Sequence, residues 1–167
     1  MKRMETMFAP WRMEYLVSKK PEGCIFCKCS IRCDDYIVYE GSTCFVMLNR
    51  YPYVNGHLMI IPDRHLGSVA EMTAEERLEM FFLLDISIKV MRENLNPDGF
   101  NVGMNLGKAA GAGVAEHLHM HVLPRWEGDT NFMSVIGNVR VVPEDLAVTA
   151  AKFAPLFQKY AGEGGNR

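Results

Sequence analysis

The sequence predicts an α+β fold: a mainly antiparallel sheet of about five strands, one long helix and a shorter C-terminal helix. Three observations lead there. Short β-rich runs follow one another with turn signals between them, as locally pairing strands do. The stretch "MTAEERLEMFFLLDISIKVMRENLNPDG" reads as one long capped helix. The run "HLHMHVLP" alternates with the period of a strand.

Taken in order, "APWRMEYL" sets Pro10 at a helix start and predicts a short helix over residues 10–17. "GCIFCKCSIRC" reads as a loop, and "YIVYEG" and "TCFVMLN" as two strands joined by a Gly-Ser turn. "YPYVNGH" is a turn leading into "HLMIIP", a buried strand stopped by Pro62. Thr73 caps the long helix, and Glu76 completes a capping box. Leu78, Phe81, Phe82, Asp85 and Ile88 to Lys89 fall at helical steps and predict its mostly apolar stripe. Asn96-Pro97-Asp98-Gly99 ends it. "FNVGMNLG" is a strand, "GKAAGAGVAE" a small-residue loop, and "HLHMHVLP" a strand closed by Pro124. A second helix is expected from Pro143 to about Lys152, interrupted by Pro155.

At 167 residues, without repeats or a low-complexity linker, the chain is expected to form a single domain over 1–167. A core of about 24–126 then lies between an extension (1–23) and a C-terminal segment (127–167). About half the residues are apolar (49%) and the formal net charge is −2, which argues against bulk nucleic acid or an anionic membrane as partner. No apolar run is long enough to span a bilayer. The first residues lack the continuous apolar stretch of a secretory signal. Four of the five cysteines crowd between Cys24 and Cys33, which points to metal chemistry in a reducing compartment. A cytoplasmic setting is expected.

His117, His119 and His121 alternate with Leu118, Met120 and Val122. On a helix that spacing scatters the rings; on a strand all three share one face and the apolar residues fill the other. One use of such a row is metal binding by all three, but the sole flanking carboxylate, Glu116, points to the opposite face. The other is nucleophilic catalysis, in which a neutral imidazole attacks phosphorus and a neighbouring ring donates a proton. The preceding loop, "NLGKAAGAG", suits an anion: Gly107, Gly111 and Gly113 let backbone N–H groups approach it, and Lys108 adds charge. Cys24 and Cys27 form a C-x-x-C pair that fits one tetrahedral zinc, which needs two further ligands. Cys29 or Cys33 could join, or the thiols could be free.

"HLHMHVL" resembles the signature of the histidine triad superfamily, His-φ-His-φ-His-φ-φ with φ apolar. "LNRYPYVNGHLMIIPDRH" is similar to that family's strand and ribose-contacting turn. "APWRMEYL", "CIFC", "NVGMNLGKAAGAG" and "PRWEGDTNFM" resemble the bacterial diadenosine tetraphosphate phosphorylase and hydrolase branch, so the likeness covers residues 8–146. It implies a homodimer that cleaves or transfers nucleoside monophosphates through a nucleotidyl-histidine. It makes His119 the nucleophile, His121 the residue attending the scissile phosphate and leaving group, and His57 a supporting active-site histidine. Asn49, eight residues before His57, matches a ribose-binding position; Asn105 and the Gly107 loop fall near the phosphate-contacting segment. Where several relatives carry Gln or Ser before the triad, this chain has Gly113 and Val114, which leaves phosphate contacts to backbone N–H groups, Asn105 or Lys108.

The resemblance also implies that His65 and His117 complete a structural zinc site with Cys24 and Cys27, and that no organic cofactor is used. A dinucleoside polyphosphate is the expected substrate, with Trp11, Tyr53 and Trp126 as stacking surfaces for a second base. A nucleoside phosphoramidase and a non-catalytic nucleotide-binding zinc protein are the alternatives.

Overall fold

The computed structural model describes residues 23–27, 36–129 and 144–164. Five strands, β1 (Ile37–Glu40), β2 (Cys44–Leu48), β3 (Leu58–Pro62), β4 (Gly99–Met104) and β5 (Met120–Arg125), form one sheet in the order β1-β2-β3-β5-β4. All the described pairings are antiparallel. Among the described residues two α-helices, α1 (Ala74–Leu95) and α2 (Leu146–Gly164), pack with the sheet in an α+β fold. The short helix expected over 10–17 lies outside the described residues.

Alternation along the strands divides the interior in two. Cys44, Val46, Leu48, Leu58, Ile60, Leu118, Met120 and Val122 face α1 and α2, where Met80, Leu83, Ile86, Val90 and Met91 meet Phe153 and Phe157. Phe45, Met47, Met59 and Ile61 face the other way and pack with Phe26 from the Gly23–Cys27 loop. Each face thus has its own apolar cover, and the histidine side chains belong to the second.

Helix α1 begins as expected: Thr73 accepts from the Glu76 N–H, and the Glu76 carboxylate accepts from the Thr73 N–H. Its buried face differs from the expected stripe. Leu78, Phe81 and Phe82 are exposed, whereas Glu76, Met80, Leu83, Ile86, Ser87, Val90 and Met91 are buried. Both stripes are apolar at helical spacing, so periodicity alone does not choose between them. The buried Glu76 marks the stripe that is used, because Arg64 reaches its carboxylate with two nitrogens, at 2.6 and 2.8 Å. Helix α2 also departs from expectation. It runs through Pro155 to Gly164, and Pro143 lies outside the described residues. Pro155 and Ala151 are both exposed, so the carbonyl that loses its helical donor faces solvent, while Phe153 and Phe157 hold the helix on the sheet.

Glu79 organises the β1–β2 turn from the helix. Its carboxylate accepts from the backbone N–H groups of Ser42, Thr43 and Cys44 and from the Thr43 hydroxyl. A Cβ on Gly41 would lie 2.5 Å from a Glu79 oxygen, so only glycine lets that carboxylate so close. Burial alone would raise the Glu79 carboxyl, but the turn's hydrogen bonds outweigh it and hold the group below the usual range. Among the described residues no helix is long and apolar enough to cross a membrane.

The hydrogen bond from Arg64 holds the Glu76 carboxyl at about 2, against the usual 4.5. A depressed folded value means that its stabilisation is complete above about pH 4.5 and disappears as pH falls through about 2. Glu76→Gln is therefore expected to lower the urea midpoint at neutral pH and to flatten its decline below about pH 4.5. Midpoints measured across that range check this; parallel curves for variant and wild type would refute it. Glu79→Ala, which leaves four donors without their acceptor, is expected to cost about 2–3 kcal/mol in the same measurement.

Candidate active site and metal centre

The histidines lie as the alternation requires. His117 and His119 precede β5 and are buried, and His121, within it, is half-buried. The Gly23–Cys27 loop lies over the first two: the Phe26 ring centroid is 5.1 Å from that of His119 and 5.8 Å from that of His117.

Fixed backbone groups settle which nitrogen of each ring carries a proton. His119 Nδ1 lies 2.8 Å from the His117 carbonyl, which can only accept. Nδ1 therefore holds the proton, and Nε2 keeps a lone pair. The Tyr53 backbone N–H, which can only donate, points at His57 Nδ1 from 3.2 Å. His57 in its neutral form is then protonated at Nε2 and donates to His121 Nδ1 at 2.9 Å. His121 in turn carries its proton on Nε2. The His119 and His121 rings stand edge to face, with centroids 4.9 Å apart. One offers a nucleophilic lone pair and the other an N–H donor, from side chains two positions apart on one face.

Both rings favour the neutral form. Burial holds His119 below the usual imidazole range, although its bond to the His117 carbonyl pulls upward. Burial, with His119 nearby, brings His121 down to about 4. His57 is fully buried against the exposed Tyr53 ring, which stacks on it at 5.0 Å.

Three other predicted residues converge on His117. One ligand atom from each of Cys24, Cys27, His65 and His117 lies within 4.8 Å of all the others. Cys24 Sγ is 3.2 Å from His117 Nδ1, and Cys27 Sγ is 3.5 Å from His65 Nδ1. Bonds of about 2.3 Å to sulfur and about 2.0 Å to nitrogen give tetrahedral edges of about 3.3–3.8 Å, so the set fits one zinc ion. His117 Nε2 donates to the Pro62 carbonyl at 2.8 Å, which leaves Nδ1 unprotonated and aimed at the thiols. Cys29 and Cys33 lie outside the described residues.

The remaining predicted residues are less tightly placed. Asn49 Oδ1 accepts from the Tyr51 N–H at 2.9 Å, and its amide nitrogen lies 3.4 Å from His57 Nδ1, so the side chain shapes the turn that carries His57. Asn105 is half-buried just beyond β4, whose Gly103 pairs with His121. Gly107 and Gly111 have the left-handed φ values of 79° and 86° that flank a short 3₁₀ turn carrying the exposed Lys108; Gly113 is exposed. Trp126 hydrogen-bonds to the Leu95 carbonyl, which gives it a role in attaching the end of β5 to α1. Trp11 lies outside the described residues.

Sequence reasoning missed the Tyr53 N–H, the Pro62 carbonyl, the Phe26 ring and Gly103. A Cβ at Gly103 would meet nothing within 4 Å, so the edge strand leaves open space beside its partner His121. Three of the four act through backbone, which a side-chain motif does not display.

A five-stranded antiparallel sheet that carries this histidine row defines a histidine triad protein. The family model of the HIT domain matches residues 32–128, and the chain belongs to that family. It is 37% identical over 158 residues to an AP-4-A phosphorylase of Mycobacterium tuberculosis, covering 88% of this chain and 81% of that protein. It is 27% identical over 129 residues to a bis(5'-adenosyl)-triphosphatase of Dictyostelium discoideum, covering 74% of this chain and 86% of the relative. A zinc-bound histidine triad family protein from Mycobacterium smegmatis superposes with a TM-score of 0.68 at 27% identity, covering 84% of this chain and 96% of the other.

Ring-nitrogen NMR of histidine-labelled protein at neutral pH is expected to find the Nδ1–H tautomer at His119 and the Nε2–H tautomer at His57 and His121. An Nε2–H signal from His119 would contradict the assignment.

Proposed function

We propose that this protein is a nucleotidyl transferase or hydrolase that cleaves dinucleoside polyphosphates, such as diadenosine tetraphosphate, through a nucleotidyl-histidine. The observation that carries the reading is the opposite protonation of two adjacent rings: a bare Nε2 on His119 and an Nε2–H on His121. The names of the relatives support the substrate class.

In the first step the His119 Nε2 lone pair attacks the α-phosphorus. A P–N bond forms as the P–O bond to the departing nucleotide breaks. The attacking ring gains positive charge, and the His117 carbonyl stabilises it by accepting from Nδ1–H. His121 Nε2–H donates to the phosphate and the leaving oxygen. In the second step water or inorganic phosphate attacks the adduct, the P–N bond breaks, the lone pair returns to His119, and an attacking water gives up its proton to solvent. His57 keeps His121 in its donor tautomer. Asn49 then contacts the ribose, while Asn105, Lys108 and the backbone of Gly107, Gly111 and Gly113 take the phosphates. No organic cofactor enters these steps.

Cys24, Cys27, His65 and His117 bind zinc in a closed, structural site. Zinc there supplies cross-linking of the Cys loop to the sheet. The whole chain acts as one domain, with cytoplasmic conditions keeping the thiols reduced. Two copies pair along β4, a sheet edge on which Val102 is 45% exposed.

Incubation with diadenosine tetraphosphate, with and without inorganic phosphate, tests the reaction. ATP with AMP marks hydrolysis, and phosphate-dependent ATP with ADP marks phosphorolysis. Absence of turnover would refute the reading, and a nucleoside phosphoramidate cleaved instead would transfer it to that substrate class. His119→Ala is expected to abolish the covalent adduct and to lower turnover by roughly 10³-fold or more. Adduct formation on another residue of that variant would refute the role of His119. Fresh protein is expected to hold about one equivalent of zinc, and Cys24→Ser to lose it; metal analysis that finds less than about half an equivalent in wild type would remove the metal site.

A further inference from the structure

We propose that Phe26 is a positioning residue for the nucleophile and that the metal centre acts on catalysis through it. The inference rests on the reading of His119 as nucleophile, and it assigns the Cys-x-x-C loop a second task besides ligation.

The hydrogen bond to the His117 carbonyl fixes the His119 tautomer and anchors one ring atom. One anchored atom does not fix a plane. Two rings restrict the plane from its sides: His121, edge to face at 4.9 Å, and Phe26, inclined at 53° with its centroid 5.1 Å away. His121 belongs to β5 and is further held by His57. Phe26 belongs to no strand or helix. It is 5% exposed, lies in the Gly23–Cys27 turn, and reaches the sheet by resting on Phe45, Met47, Met59 and Ile61.

The Cys27 N–H approaches the Cys24 carbonyl at 3.3 Å, and the Phe26 N–H donates to Cys24 Sγ at 3.4 Å. The sulfurs on either side of Phe26 face His65 and His117. Closing those four ligands on one ion fixes both ends of a two-residue span, and the Phe26 amide bonds directly to a ligand sulfur. His117 supplies the other half of the linkage: its ring is a ligand and its carbonyl holds His119. The metal site therefore restrains the nucleophile from two sides, through the backbone of one ligand and through the ring carried between two others. Displacement of a reacting group by about 1 Å is enough to cost about 10²-fold in rate.

The test uses Phe26→Ala and Phe26→Leu in zinc-saturating buffer, with metal content measured on each. Ring-nitrogen NMR of histidine-labelled protein reads His119, His57 and His121 separately and needs no substrate. Single-turnover labelling of His119 by diadenosine tetraphosphate at saturation reads the chemical step. Zinc-loaded Phe26→Ala is expected to lose or broaden the His119 Nδ1–H signal while the His57 and His121 signals stay in place. Its rate at saturation should fall about 10- to 100-fold, more than KM rises, and Phe26→Leu should recover most of the loss. Chelation of zinc from wild type should produce the same selective change at His119. Unaltered His119 signals in Phe26→Ala, a defect carried by KM alone, or simultaneous loss of all three histidine signals would overturn the positioning role. Unaltered His119 signals after chelation would overturn the link to the metal. If wild type labels no histidine, the proposed function fails, yet the spectra still decide the positioning.

Discussion

Much of this site depends on one hydrogen bond, from His119 Nδ1–H to the carbonyl two residues back. It fixes the tautomer of a buried ring by an acceptor that cannot change its own protonation. Burial then keeps the ring neutral, so the lone pair on Nε2 is a standing property of the folded chain. The opposite assignment at His121 has the same kind of origin. The Tyr53 N–H fixes His57, and His57 fixes His121. Both proton positions are thus set by peptide groups, one in the β2–β3 turn and one just before β5.

The sheet makes this economical. Period-2 alternation places Leu118, Met120 and Val122 in the core beneath α1 and α2 while their neighbours His117, His119 and His121 face the other way. A slip of one residue in the β3–β5 register, where Met59 pairs with His121, would bury imidazoles against Phe153 and Phe157 and expose the aliphatic residues. Core packing and site geometry therefore select the same register. His117 connects the Cys-x-x-C loop to the row: its ring faces Cys24, and its carbonyl holds His119.

The fold was largely legible because its signals are local. Thr73 and Glu76 announced the start of α1, and the β-rich runs marked the strands. Two features of the helices were not. Leu78, Phe81 and Phe82 form as good an apolar stripe as the one that is buried, and the choice rests on contacts with a sheet assembled from distant segments. Pro155 reads as a break, yet α2 continues because the affected carbonyl faces solvent and the Phe153–Phe157 face is held by packing.

The site divides in the same way. The inventory of side chains and their order is legible in the chain alone: the alternating histidines, the C-x-x-C pair, His57 and His65. Folding settles which nitrogen of each ring is bare, that the Gly23–Cys27 loop lies over His117 and His119, and that Phe26 rests on His119. The reason is physical. Residue type and spacing are written in the chain, but a tautomer is fixed by whichever peptide group stands opposite the ring. Those partners, Tyr53 for His57 and Pro62 for His117, are brought there by folding.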